Sequence, residues 1–198
     1  TGDDEPSNLA PAIDITSHRD GDRVMEGYSV LFEASVRDGN DDFADLTVSW
    51  TVGDQELCEA AAPDDEGLSS CEAILTLEDT VLEATVTDPR GAYSWETLEL
   101  DVIETDAPVA QITSPDGSEN YYSNFDITLA GTISDGEDAL TDLSAWWESS
   151  VDGRLDLDTA ADSKGQLSNT TQLSAGSHSL TLWVEDSTGK TGSDSVQI

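Results

Sequence analysis

Ala10-Pro11-Ala12-Ile13-Asp14-Ile15-Thr16-Ser17 returns 97 residues later as Ala107-Pro108-Val109-Ala110-Gln111-Ile112-Thr113-Ser114. The correspondence continues outward from that stretch. Val30-Leu31-Phe32 and Val36-Arg37-Asp38-Gly39 are answered by Ile127-Thr128-Leu129 and Ile133-Ser134-Asp135-Gly136. Asp45-Leu46 and Trp50 are answered by Asp142-Leu143 and Trp147, and Val86-Thr87-Asp88 with Gly91 by Val184-Glu185-Asp186 with Gly189. The offset is 97 or 98 throughout. A repeat of that length, built from short alternating segments, is one β-sandwich per copy. The 198 residues therefore hold two domains of ordinary size, each able to bury a modest core of its own.

Strand signals recur along each copy. Val30, Phe32, Ala34 and Val36 alternate with Leu31, Glu33, Ser35 and Arg37. Leu46, Val48 and Trp50 form the next set, followed by Ile74, Leu75 and Leu77, by Leu82, Ala84 and Val86, and by Leu98, Leu100 and Val102. Period two with β-branched and aromatic residues predicts half-buried strands in two packed sheets. Turn clusters such as Asp38-Gly39-Asn40-Asp41, Pro63-Asp64-Asp65-Glu66-Gly67 and Asp88-Pro89-Arg90-Gly91 separate them,. The one helical expectation is a short turn at Ala60-Ala61-Ala62, stopped by Pro63,. The predicted organisation is an acidic leader over 1–9, a first domain over 10–104 and a second over 105–198. Pro108 makes the joint semi-rigid. Val196-Gln197-Ile198 falls in register with Leu98-Glu99-Leu100, so the last strand reads as cut short. The expected neighbours are further domains of a longer chain.

Composition restricts function. Forty-three acidic residues against seven basic give a formal net charge of −36. Phosphate backbones are bound by Lys and Arg, so a nucleic-acid partner is excluded on this reading. An anionic membrane surface is disfavoured in the same way, and no apolar run is long enough to span a bilayer,. Such a charge suits cations, a salty medium, or both. Cys58 and Cys71 fall in the first copy alone. An even pair inside one domain predicts a disulfide and an oxidising, extracellular or cell-surface location. Two cysteines with only His18 and His178 to help make no structural zinc site,. Asn169-Thr170-Thr171 is a glycosylation sequon, expected on an exposed segment,.

The string Val36-Arg37-Asp38-Gly39-Asn40-Asp41-Asp42, then Leu46-Thr47-Val48-Ser49-Trp50-Thr51-Val52-Gly53-Asp54, then Val86-Thr87-Asp88-Pro89-Arg90-Gly91, resembles PKD-type and related bacterial or archaeal immunoglobulin-like domains. The second copy is similar to the same group through Ser134-Asp135-Gly136, Trp147, Asp152-Gly153 and Val184-Glu185-Asp186-Ser187-Thr188-Gly189. It lacks the Trp…Gly-Asp turn that the first copy keeps as Trp50 to Asp54. The resemblance implies an all-β chain of two tandem immunoglobulin-like sandwiches. It also implies a spacer, stalk or adhesive role in a secreted or cell-surface protein.

Candidate sites follow from the acidic loops. In such a sandwich the loop between the second and third strands shares one end with the loop between the sixth and seventh. In the second copy this is expected to gather Asp135, Glu137, Asp138, Asp142 and Asp186 with the joint residues Glu104 and Asp106. In the first copy the set is Asp38, Asn40, Asp41, Asp42, Asp45 and Asp88, with Asp3, Asp4 and Glu5 of the leader. Crowded carboxylates repel, and a bound Ca²⁺ with six to eight oxygen ligands relieves the conflict. The competing reading is that Asp, Asn and Gly here only form turns. Trp50 and Trp147 fall in phase with core positions, whereas Trp146, Trp183 and Trp95 fall out of phase and point outward. Outward indoles suit stacking on a glycan or contact with another surface protein, including the next subunit of a filament. Neither histidine sits in a nucleophile motif, no Gly-x-Ser-x-Gly elbow occurs, and catalysis is not expected,.

Overall fold

In β3 (Ser29–Arg37), Phe32, Ala34 and Val36 are buried while Leu31 and Arg37 face water, as their alternation dictates,. The computed structural model describes residues 7–198 and divides the chain into two units, Thr1–Thr105 and Asp106–Ile198. Unit 1 also contains β1 (Ala12–Ile15), β2 (Asp22–Met25), β4 (Thr47–Val52), β5 (Gln55–Ala61), β6 (Leu68–Ile74), β7 (Val81–Thr87) and β8 (Tyr93–Ile103). Its sheets have the orders β1-β3-β6 and β2-β8-β7-β4-β5, and β2 runs parallel to β8. Unit 2 contains β9 (Val109–Ser114), β10 (Ile127–Ser134), β11 (Ser144–Ser149), β12 (Gly153–Arg154), β13 (Gln166–Thr171), β14 (Ser179–Glu185) and β15 (Thr191–Gln197). Its sheets are β13-β10-β9 and β12-β11-β14-β15. Each unit is an immunoglobulin-like β-sandwich. Among the described residues no helix is long and apolar enough to cross a membrane.

The cores follow the repeat. Phe32, Val36, Trp50, Leu82 and Val86 in unit 1 are matched by Leu129, Ile133, Trp147, Leu180 and Val184 in unit 2, all buried. One pair trades volume across the two sheets. Ala34 and Ala84 fill unit 1 where unit 2 has Gly131 and Leu182. A Cβ on Gly131 would fall 2.6 Å from Leu182 Cδ2 and 2.7 Å from the Gln111 carbonyl oxygen, so the larger leucine and the neighbouring strand both leave room only for glycine,.

Two local devices recur without a conspicuous sequence signal. Asp64 Oδ1 accepts the Glu66 and Leu68 amides, and Asp162 Oδ1 accepts those of Lys164 and Gln166. Each turn closes on a glycine at positive φ, Gly67 (79°) and Gly165 (77°),. The glycine carbonyl then receives the Val36 or Ile133 amide, at 2.7 and 2.8 Å. In the second device a carboxylate on the last strand reaches the first. Glu96 accepts the Ile15 amide, and Asp194 Oδ2 accepts the Ile112 amide at 2.7 Å.

The helical turn expected at Ala60-Ala61-Ala62 does not form. Residues up to Ala61 belong to edge strand β5, paired with β4, because Val48 takes Ala61 as its cross-strand partner. The short helical segment lies instead at Phe43–Asp45, a single 3-10 turn leading into β4. Cys58 and Cys71 form the expected disulfide, with Cα atoms 5.8 Å apart. It joins β5 to β6 and so ties the edges of the two sheets. By strand register Asn169 occupies the place of Cys71: Cys71 pairs with Phe32 and Asn169 with Leu129.

Candidate functional site

Three carboxylates of unit 1 converge. Asp38 leaves the end of β3, Asp41 lies three residues further in the same loop, and Asp88 opens the β7–β8 turn. Each offers an oxygen within 4.8 Å of the others. Backbone amides hold the two anchors: Asp38 Oδ1 accepts those of Asn40 (2.7 Å) and Asp41 (2.9 Å). Asp88 Oδ1 accepts those of Arg90 (2.8 Å) and Ala92 (2.9 Å), and its Oδ2 accepts Asn8 Nδ2 at 2.7 Å. Burial pushes the Asp88 carboxyl up, but the hydrogen bonds from Asn8, Ala92, Arg90 and Gly91 prevail and hold it below the ordinary aspartate value,. Arg90 donates to Asp41 Oδ2 at 3.2 Å and links the two loops. Asp38 Oδ2 is buried without a hydrogen-bond partner. An oxygen so placed beside two further carboxylates fits a hard cation such as Ca²⁺.

Of the remaining residues of that set, Asn40 borders the trio, its Nδ2 donating to Asp41 Oδ2 at 2.5 Å. Asn40 turns its amide oxygen to the Leu9 amide at 2.8 Å. Asp42 precedes the 3-10 turn and Asp45 ends it, and both are exposed. Asp3, Asp4 and Glu5 lie outside the described residues.

Unit 2 resolves the same crowding differently. Asp135 Oδ1 accepts the Glu137 and Asp138 amides at 2.8 and 2.7 Å. Asp138 crosses to the other loop, taking the Ser187 amide at 2.6 Å and its hydroxyl at 3.0 Å. Asp186 Oδ1 accepts the amides of Thr188 and Lys190 and the Thr188 hydroxyl. The residue matching Ser187 in unit 1 is Pro89, which has no N–H, so there the link falls to the Arg90 side chain,. Asp135 Oδ2 and Glu137 Oε2 are buried without hydrogen-bond partners. Asp142 is exposed. Asp106 precedes β9 at the end of unit 2 where Val109 pairs with Ser134. Glu104 follows β8 in unit 1, at the end of that strand opposite Tyr93 and the Asp88 turn. Among the described residues no three carboxylates of unit 2 offer oxygens within 4.8 Å of one another. Of the two acidic sets, the carboxylates thus converge in unit 1, while in unit 2 serine and backbone donors take up Asp138 and Asp186.

The outward tryptophans fall into two groups. Trp146 and Trp183 are cross-strand partners on β11 and β14, their rings stacked at 6.0 Å with 12° between planes. The Arg154 guanidinium lies 4.8 Å from the Trp146 centroid,. Trp183 Nε1 donates to Glu148 Oε2 at 3.1 Å. Both indoles are half-buried in this ladder rather than open. Trp95 on β8 is open, 58% exposed, with Tyr93 beside it at 58% and ring centroids 5.9 Å apart. Asn169 is half-buried in line with Leu167, its Nδ2 donating to the Asp158 carbonyl at 2.5 Å. The Asn169 side chain is thus half-buried between exposed neighbours, where the sequon was expected on an exposed segment.

Ser149, Asp152 and His178 meet in unit 2, a cluster the sequence did not signal. His178 Nδ1 lies 2.7 Å from Ser149 Oγ and Nε2 lies 2.9 Å from the Ser174 carbonyl. The carbonyl requires Nε2 to carry the proton, so Ser149 donates to Nδ1. Ser149 and His178 are each 2% exposed, and Ser149 also accepts the Val151 and Asp152 amides. With the hydroxyl buried and both ring nitrogens engaged, the trio ties β11 to β14 and presents no nucleophile.

Neither a protein-family model nor a curated protein matches the sequence. Solved structures align along almost the whole chain at low similarity. The fibronectin(III)-like modules of Clostridium thermocellum CbhA are 16% identical, with 94% of this chain and 93% of that one covered and a TM-score of 0.42. A 1.5-MDa bacterial ice-binding adhesin gives 16%, 96% and 64%, with a TM-score of 0.43. The titin I-band fragment I67-I69 gives 12%, 96% and 65%, with a TM-score of 0.41. The chain thus spans just under two thirds of the latter two. Similarity at this level carries no argument about function, and the immunoglobulin-like fold rests on strand order and register.

Proposed function

We propose that this chain is a non-catalytic structural module of a secreted or cell-surface protein. It would serve as a pair of PKD-like spacer sandwiches whose acidic loops take up Ca²⁺. The observation that carries the reading is the duplication itself. Two sandwiches share cores, turns and first-to-last-strand links, so what is repeated is architecture rather than a reactive centre. The disulfide fits an oxidising compartment,. The buried Ser149–His178 pair gives catalysis no foothold.

For the ion, the convergence of Asp38, Asp41 and Asp88 and the unpartnered Asp38 Oδ2 favour unit 1. Asp38 and Asp88 would supply oxygens that backbone hydrogen bonds have already oriented. Asp41 would have to yield part of its contact with Arg90. The adhesive alternative through Trp146 and Trp183 gains nothing from their geometry, since Arg154 and each other's rings already engage them.

The test is thermal unfolding in chelator and in millimolar Ca²⁺, at fixed high NaCl so that general screening is saturated. Ca²⁺ at about one hundred times its dissociation constant adds about 2.7 kcal/mol, several degrees for domains of this size. The rise is expected for Ca²⁺ over Mg²⁺ and is expected to vanish in Asp38→Ala. An unchanged melting temperature returns the trio to ordinary turn residues and leaves only the spacer reading.

A further inference from the structure

The outer face of the β8–β7–β4 sheet in unit 1 carries two adjacent rows of side chains without a charge. Across two registers Trp95 faces Thr85 and then Ser49, and Tyr93 faces Thr87 and then Thr47. All six point away from the core, and none is charged. In a chain with 43 acidic residues among 198, two adjacent rows without a carboxylate stand out. The next row brings Glu83, which accepts the Thr85 hydroxyl at 3.2 Å.

The repeat supplies an internal comparison. The row Ser49, Thr85, Trp95 corresponds in unit 2 to Trp146, Trp183, Ser193. There the indoles stack on each other under Arg154, and Glu148 takes an indole N–H. In unit 1 Tyr93 and Trp95 remain 58% exposed each, with a 31° tilt between rings. Exposed paired aromatics mark interaction surfaces.

Charge and area narrow the partner. The patch is neutral and edged with hydroxyls, while the acidic surroundings repel anions,. Two rings are too small an apolar area for a stable protein contact, which needs about 800 Å² from each partner around a packed centre. Sugar rings have apolar C–H faces that stack on flat aromatics and hydroxyls that bond to threonine and serine. We propose that this face binds a neutral polysaccharide, with Trp95 and Tyr93 as its stacking platform. This goes beyond the spacer reading and does not depend on the ion.

The experiment is retention of the full chain on insoluble cellulose and chitin, with polygalacturonate gel as the anionic counterpart. Wild type, Trp95→Ala, Tyr93→Ala, Trp95→Phe and Trp146→Ala are compared at high NaCl, with melting curves to verify folding. Retention on a neutral polymer is expected, weakened about tenfold in Trp95→Ala, the size of one lost aromatic contact of about 1.4 kcal/mol. Tyr93→Ala weakens it in the same direction, Trp95→Phe keeps most of it, and Trp146→Ala leaves it unchanged. Failure of wild type to bind either neutral polymer overturns the proposal, as does binding that survives Trp95→Ala. Concentration-dependent self-association abolished by Trp95→Ala, without retention on either polymer, assigns the face to a second copy instead and also overturns it.

Discussion

The two core tryptophans occupy the same place and have different chemistry around them. Trp50 Nε1 donates to Ser69 Oγ at 3.0 Å in a fully buried contact, whereas Trp147 Nε1 is buried without a hydrogen-bond partner. The cause lies on the opposite strand: Ser69 pairs with Ala34, and its counterpart Leu167 pairs with Gly131. Leucine fills space but accepts nothing. Replacing Trp50 by Phe strands a buried hydroxyl, while Trp147→Phe removes an unsatisfied donor. Trp147→Phe should therefore be the milder change by about 1 kcal/mol in urea unfolding. The reverse order would mean that the Trp147 indole has a partner after all. The burial of both tryptophans was legible from alternation alone. The partner was not, because Ser69 and Leu167 lie on a different strand, far along the chain.

At the scale of elements, the Asp162 turn offers the clearest pH handle. Amides of Gln166 and Lys164 hold the Asp162 carboxyl below its ordinary value of 3.8, against the pull of burial and with help from the Lys164 charge. A depressed native pKa means that the contribution is complete above the unfolded value and is lost as pH falls through the native one. Asp162→Asn should thus cost stability at neutral pH, and its deficit relative to wild type should shrink below about pH 4. Melting curves of the two proteins from neutral pH to pH 2 check this, and a constant deficit would contradict it. The strands around Phe32, Trp50, Leu82 and Leu98, the β3–β4 and β7–β8 turns and the disulfide could be read from the sequence, whereas the set at Ile74, Leu75 and Leu77 was placed too late, since β6 is Leu68–Ile74 and ends before Leu75. Edge strand β5 could not, since Glu59-Ala60-Ala61 has no period-two pattern and is held by its pairing with β4. The carboxylate arrangement was half legible. Residue types showed which loops were acidic, but Pro89 against Ser187 decided whether the loops are linked through a guanidinium or through a backbone amide and hydroxyl, and that distinction exists only once the loops face each other.

At the scale of the whole molecule, a net charge of −36 means that both sandwiches fold against their own repulsion,. Raising NaCl from about 0.01 M to about 1 M shortens the screening length from about 30 Å to about 3 Å. The melting temperature should climb across that range, and an equal osmolality of sucrose should not reproduce the low-salt part of the climb. A flat response to NaCl would mean that local pairs such as Arg23–Asp101 and Arg37–Asp14 already balance the field.

The bond between Cys58 and Cys71 also has a mechanical meaning. If tension is applied through the two ends of unit 1, strands can peel away until the load reaches residue 58, and from there it passes through sulfur to residue 71. The backbone between the two cysteines, a sequence separation of 13, never enters the stretched path, which shortens the reach of an unravelled unit 1 by about 40 Å. Unit 2, with Asn169 where the second sulfur would be, has no such stop. Under load the first sandwich has a covalent limit on its extension, and the second gives up its full length.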